Sequence, residues 1–300
     1  MIRSKTYKEV KMYNKISIII PCHKPKEKLL ERTIQSIEKQ TYKNHETIIC
    51  SDHNSKEEFD IIKKVMHKSN IQIKCVKNKN ECGISNARNE AVKYSSANWL
   101  VWLDDDDTLS EDCLEKLMFC SLDTGAEYVI GNCVVIQNSI SKIKNSSKYF
   151  ILHKEYKSTE YDPFMLNIFS IQPQLLNKKK FNEMGGFNPY FKKAELSEFF
   201  LRYISIYGSD LVTFDCDAEY NYDRSKPMSV SSNREELFRY RKKALLMYRD
   251  NCRISVDDIL YLGRNKLDDM QMYVPVRNDS ILLPPYFGSL QNIETKINLQ

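Results

Sequence analysis

Trp99-Leu100-Val101-Trp102-Leu103-Asp104-Asp105-Asp106-Asp107 sets five apolar residues directly against four acids. A short run of large apolar residues fits a strand covered on both faces, as in a parallel sheet. Four adjacent carboxylates raise one another's pKa and cost stability unless solvent or a cation relieves them. Two readings of the acids stand side by side. They are a solvated loop ahead of the next helix, or a platform of hard oxygen donors for Mg²⁺ or Mn²⁺, cations that keep positions open for phosphate. The strand favours the platform, because a surface loop needs no apolar anchor of that kind.

Working toward the N-terminus, Ile16-Ser17-Ile18-Ile19-Ile20 is a second apolar run, and Pro21 is expected to end it. Leu29, Leu30, Ile34 and Ile37 recur at helical spacing. Thr47 to Cys50 reads as a strand ending in the turn and N-cap chemistry of residues 51–55. A helix over 59–67, a strand over 71–76 and a helix over 85–94 complete the approach to Trp99. This alternation predicts an α/β fold, Rossmann-like, with a mostly parallel sheet and helices on both faces. Ligands bind beyond the carboxyl ends of such strands. The polar clusters 21–25, 51–55 and 104–107 all fall at those ends.

Toward the C-terminus the pattern predicts a helix over 110–119 capped by Ser110, a strand over 128–137 and a polar loop over 138–160. Gly185-Gly186-Phe187 marks a turn before a helix over 195–207; a strand over 210–214 and a charged helix over 234–249 follow. The expected organisation is a tail at 1–14, one domain at 15–225, and a small C-terminal helical extension with a tail at 226–300.

Bulk composition narrows the class. The 300 residues carry a net charge of +5, with 42% hydrophobic and 28% charged residues, as in ordinary globular proteins. No basic block with interleaved aromatics points to nucleic acid. The 9 cysteines form no C-x-x-C pair, and an odd number argues against a closed disulfide framework, so a cytoplasmic setting is expected. Residues 1–15 lack the apolar stretch of a signal peptide, and no run suits a transmembrane helix. There is no G-x-G-x-x-G or Walker pattern, which removes the signatures of dinucleotide and P-loop enzymes. A metal-dependent nucleotidyltransferase also uses paired carboxylates, but no matching glycine-rich loop is present.

Four segments together resemble the inverting family 2 glycosyltransferases of the GT-A fold. They are Ile16 to Pro21; Gln40-Thr41-Tyr42 with Glu46 to Asp52; Asn80 to Asn89, containing Ala87-Arg88-Asn89; and Trp102 to Asp107. The resemblance covers about residues 15–225. It implies that Asp52 accepts a hydrogen bond from a uracil base, that backbone near Pro21 and His23 lines the base pocket, and that Arg88 lies near the nucleotide. It makes 104–107 a D-x-D motif, with Asp104 and Asp105 at the nucleotide and Asp106, with Asp104, holding Mn²⁺ or Mg²⁺. The implied partners are a UDP-sugar donor and a glycan or lipid-linked glycan acceptor in surface polysaccharide biosynthesis. Arg224 or Lys226 either neutralises phosphate or lies in an exposed loop, and the basic helix over 234–249 is either a solvated face or one that rests on an anionic membrane in peripheral association.

One position departs from the pattern. The family's general base comes from a Glu-Asp pair after Gly-Gly-Phe, and here Glu195-Leu196 stands in its place. Leucine takes no proton. Three readings follow: Glu195 is the base, Glu198 one helical turn on is the base, or the chain binds a nucleotide sugar as a weak or inactive relative.

Overall fold

The computed structural model describes residues 14–137, 140–144, 172–208, 211–213, 216–223, 234–248, 261–263 and 271–273. Arg224, Lys226 and the tail past residue 274 lie outside them, as does most of the expected loop over 138–160.

The main sheet has seven strands. β1 (Ile16–Cys22) lies at its middle, parallel to β2 (His45–Ser51) on one side and to β4 (Trp99–Trp102) on the other. β3 (Ile73–Lys77) extends the sheet beyond β2. Beyond β4 lie β9 (Gln174–Asn177), β6 (Tyr128–Ile130) and β10 (Val212–Thr213), giving the order β10-β6-β9-β4-β1-β2-β3. β9 runs antiparallel to both β4 and β6, and the other pairings are parallel. All seven residues of β1 and all four of β4 are buried, as their β-branched and aromatic content demands.

Pro21 does not end β1; it sits inside the strand opposite Cys50. The ladder to β4 stops at Ile19 opposite Trp102, so the strand has one neighbour at Pro21, and a residue without an N–H is tolerated there as at a sheet edge. The expected strand over 128–137 is two strands in two sheets. β6 belongs to the main sheet, while β7 (Asn132–Gln137) joins a four-stranded sheet of order β5-β11-β7-β8 with β5 (Thr108–Leu109), β8 (Ile140–Lys144) and β11 (Glu219–Asp223). Gly131 makes the crossing, and a Cβ there would meet the Ala218 carbonyl oxygen at 2.5 Å. Residues 140–144, expected as loop, pair antiparallel with β7.

The described helices are α1 (Glu27–Glu38), α2 (Lys56–Lys68), α3 (Ile84–Lys93), α4 (Cys113–Thr124), α5 (Lys178–Glu183), α6 (Glu195–Tyr207) and α7 (Arg234–Tyr248). α3 packs on β1, β2 and β3 through Ala87, Ala91 and Val92. α4 begins three residues later than expected. Ser110 donates to the Glu219 carbonyl and to Asp112 instead of capping the helix. α7 packs against α6. A separate antiparallel pair, β12 (Tyr261–Gly263) with β13 (Gln271–Tyr273), lies further along the chain.

An aromatic cluster joins β4 to the turn before α6. The Trp102 ring lies 4.9 Å from Phe187 and 5.3 Å from Phe181, and Phe199 of α6 lies 5.1 Å from Phe187. Each such contact contributes about 0.5–1.5 kcal/mol beyond area burial. The cluster therefore fixes the start of α6 relative to the end of β4.

Candidate active site

The four aspartates divide into two kinds. Asp104, Asp105 and Asp106 are half-buried, whereas Asp107 is 1% exposed. Tyr220 of β11 donates to Asp107 Oδ2 at 2.8 Å and accepts the Asp104 N–H at 3.3 Å. The Asp223 N–H donates to Asp107 Oδ1 at 3.3 Å. α1 fastens the same loop, with Arg32 on the Asp106 carbonyl at 2.8 Å and Thr33 on the Asp107 carbonyl at 2.7 Å. Asp107 is thus an anchor, and the other three acids are half-buried, with Asp105 Oδ2 turned inward. Burial and the adjacent Asp104 and Asp107 push the Tyr220 phenol well above its ordinary value, so it remains a donor. A loop pinned in this way, carrying three half-buried carboxylates, has the hard oxygen donors that suit a hard divalent cation.

Arg88 joins this loop to α6. Its guanidinium is 1% exposed, and it donates to Asp104 Oδ1 at 2.8 Å and to Glu195 Oε1 at 2.6 Å. It also stacks over Phe187 at 5.6 Å. Burial disfavours its charge, but Asp104 and Glu195 outweigh that and raise its pKa. Arg88 is therefore a permanent cation shared between the acidic loop and the start of α6.

Glu195 opens α6, where the N–H groups of the first turn favour an anion. Its side chain is 10% exposed, and among the described residues only Oε1 is engaged by a hydrogen bond. Leu196 beside it is buried. Arg241 of α7 is buried nearby; burial pushes its guanidinium down to about 10, Glu195 pulls it back up, and it stays charged at neutral pH.

The structure separates Glu198 from that role. It is fully buried, its two oxygens accept from Arg202 at 2.8 and 3.2 Å, and Tyr248 of α7 donates to Oε1 at 2.7 Å. A carboxylate enclosed in this way has no access to an acceptor hydroxyl. It ties α6 to α7 and, through Arg202 on the Met184 and Gly186 carbonyls, to the turn ahead of α6.

Asp52 follows β2 in a second cluster of polar side chains. Its Oδ1 accepts from Asn78 Nδ2 at 2.7 Å and from the Gly83 N–H at 2.9 Å, and its Oδ2 accepts from Cys82 Sγ at 3.0 Å. His23, after β1, lies 3.5 Å from Oδ2. Glu58, 2% exposed, accepts from Ser51, from the His53 N–H at 3.2 Å and from the Lys24 N–H at 2.9 Å. The Ser55–Glu58 spacing is legible as a capping box, and Ser55 does cap α2, but the Glu58 carboxylate turns back to the strand ends instead. Among the described residues, the non-glycine positions at positive φ are Lys24, Asn54 and Ala194. Lys24 adjoins His23, Ala194 adjoins Glu195 and Asn54 lies two residues after Asp52, as stored strain at a working surface would.

The basic helix is less available than its sequence suggests. In α7, Arg239 is exposed, whereas Arg241 is buried and Lys243 is half-buried and donates to the Tyr190 hydroxyl. Among the described residues, no helix is long and apolar enough to cross a membrane.

A mostly parallel sheet with helices packed on it and acids following its central strand β4 define a mixed α/β fold of the GT-A class. The model of glycosyl transferase family 2 matches residues 17–196, and the chain belongs to that family. It is 33% identical over 178 residues to the GalNAc(5)-diNAcBac-PP-undecaprenol beta-1,3-glucosyltransferase of Campylobacter jejuni, covering 56% of this chain and 55% of that one. It is 33% identical over 124 residues to the UDP-Glc:alpha-D-GlcNAc-diphosphoundecaprenol beta-1,3-glucosyltransferase WfgD of Escherichia coli, covering 41% of this chain and 47% of that one. The chain thus spans about half the length of these curated relatives. The crystal structure of S. aureus TarS 1–349 with UDP-GlcNAc matches with a TM-score of 0.56 at 16% identity, over 77% of this chain and 66% of that one, which shows the shared GT-A fold.

Proposed function

We propose that the chain is an inverting glycosyltransferase that moves a sugar from a UDP-sugar donor to a lipid-linked glycan in surface polysaccharide assembly. The observation that carries this reading is the buried guanidinium of Arg88, which donates to Asp104 at 2.8 Å and to Glu195 at 2.6 Å. This bridge fixes Glu195 of α6 relative to the acidic loop at 104–107, which supports reading that loop as the diphosphate site and Glu195 as the base. The names of the relatives from C. jejuni and E. coli, which act on diphosphoundecaprenol-linked sugars, support the acceptor class.

In this reading Asp52 accepts a hydrogen bond from the uracil base, with the backbone near Pro21 and His23 beside it. Asp106 and Asp104 would hold Mn²⁺ or Mg²⁺, which supplies positive charge to a departing diphosphate. Glu195 takes the proton of the acceptor hydroxyl as that oxygen attacks the anomeric carbon from the face opposite the leaving group. Arg88 orients Glu195 through Oε1. The acceptor's lipid would bring the enzyme to a membrane surface, with Arg239 the described basic side chain of α7 best placed to assist.

The buried Leu196 favours a second reading, a member that binds the donor without transferring the sugar. Turnover with Mn²⁺, a panel of UDP-sugars and a polyprenyl diphosphate glycan separates the two. Glu195→Gln is expected to lower kcat by about 10²–10⁴-fold, the usual worth of a general base, with donor binding retained. Full turnover in Glu195→Gln rules out Glu195 as the base, and donor binding without turnover in the unaltered chain establishes the second reading.

A further inference from the structure

A second set of ligand atoms differs in chemistry from the aspartate loop. Cys82 Sγ lies 3.4 Å from His23 Nδ1 and 3.0 Å from Asp52 Oδ2, and His23 Nδ1 lies 3.5 Å from Asp52 Oδ2. The three come from separate segments, after β1, at the end of β2 and just before α3. All three atoms fall within 4.8 Å of one another. A tetrahedral zinc ion, with bonds of about 2.3 Å to sulfur and about 2.0–2.2 Å to nitrogen and oxygen, separates its ligand atoms by roughly 3.4–3.6 Å. Two of the three separations already match. The third is a thiol hydrogen bond that opens by about half an ångström when its proton is replaced by such an ion.

We propose that His23, Asp52 and Cys82 form a binding site for a divalent cation of the Zn²⁺ class, and that an ion there excludes the nucleotide base. A mixed sulfur, nitrogen and oxygen set prefers zinc-like ions, whereas the all-oxygen loop at 104–106 suits Mg²⁺ or Mn²⁺. The site is held ready. Asp52 Oδ1 is occupied by Asn78 and Gly83, which aims Oδ2 at the thiol, and Glu58 fixes the backbone after His23 through the Lys24 N–H. On binding, the thiol proton leaves to solvent and a metal–sulfur bond replaces it, with neutral His23 donating its Nδ1 lone pair. Cys82 and His23 are exposed, so the ion has an entry path and an open fourth position. The exclusion rests on reading Asp52 as the partner of the base; the metal site does not.

The test uses the full chain and Co²⁺ as a spectroscopic probe, displaced by Zn²⁺. We expect a near-ultraviolet thiolate-to-cobalt band and the visible bands of a tetrahedral ion. Cys82→Ser, a conservative change at an exposed position, should abolish the thiolate band and weaken Zn²⁺ binding by roughly 10–100-fold or more, since even an indirect ligand contact is worth that. Its circular dichroism and its thermal shift with UDP should match those of the unaltered chain. A thiolate band that survives in Cys82→Ser overturns the site. Uridine, which lacks chelating phosphates, should displace Co²⁺ competitively. Uridine that binds alongside the ion overturns the exclusion alone. Failure of UDP to bind the chain in the presence of Mg²⁺ would count against the proposed function instead.

Discussion

Removing Arg88 isolates the contribution of the buried bridge. Arg88→Met keeps an unbranched apolar side chain and deletes the guanidinium that lies over Phe187. Breaking a buried ion pair by deleting one partner costs about 3–5 kcal/mol. The lower end applies here, because Asp104, with a side chain 35% exposed, rehydrates, while Glu195 at 10% does not. A loss of ~3 kcal/mol corresponds to about a hundredfold in the unfolding equilibrium. Equilibrium unfolding in urea measures it through the midpoint at constant slope. Arg88→Met combined with Glu195→Gln removes the stranded charge as well, so the double variant should recover about 1–2 kcal/mol relative to Arg88→Met alone. Strict additivity of the two changes would refute the claim that Arg88 and Glu195 interact as a desolvated pair. Arg88→Lys should fall between, because one ammonium cannot span two carboxylates as a guanidinium fork does.

Two further perturbations test the scaffold. Burial pushes the Glu46 carboxyl up, but hydrogen bonds from Ser17, the Ser96 N–H and Lys15 outweigh it and hold it down at about 2, against an ordinary 4.5. The native state therefore binds fewer protons than the unfolded chain, and this contribution is present above pH 4.5 and drains away as pH falls toward 2. Glu46→Gln should flatten the acid limb of stability between those values, as read by urea unfolding across pH, and an unchanged limb contradicts the network. Gly186 has φ +78°, and a Cβ there would meet Asn89 Oδ1 at 2.6 Å. Asn89 exchanges hydrogen bonds with the Phe187 N–H and carbonyl, both at 2.8 Å, so Gly186→Ala displaces the clamp between α3 and the turn. It should cost about 1–3 kcal/mol and lower Tm by several degrees; an unmoved Tm would show that the clamp is dispensable.

The parts of the molecule legible in the sequence are those whose signals are local. The β1 and β4 runs, the turn chemistry at 51–55 and the acids after Leu103 each lie within a few residues. β9 escaped notice because four residues with two leucines carry no usable period, and its antiparallel course between β4 and β6 depends on partners far along the chain. The same limit hides the division among the acids. Asp107 is indistinguishable from its neighbours until Tyr220 and Asp223 arrive from β11. The bridge from Arg88 to Glu195 spans 107 positions and leaves no spacing signal, and Arg241 beside it leaves none either. Glu198 was different: Arg202 four residues on is a helical partner visible in the sequence, and it marked a structural pair.

Descent and mechanics draw different borders on this chain. The match to the family model closes at residue 196, yet the tyrosine and the main-chain amide that restrain the last acid of its most diagnostic motif enter from residues 220 and 223. A fragment cut at the border of ancestry would keep every signature and lose the rivets that hold one of them in shape.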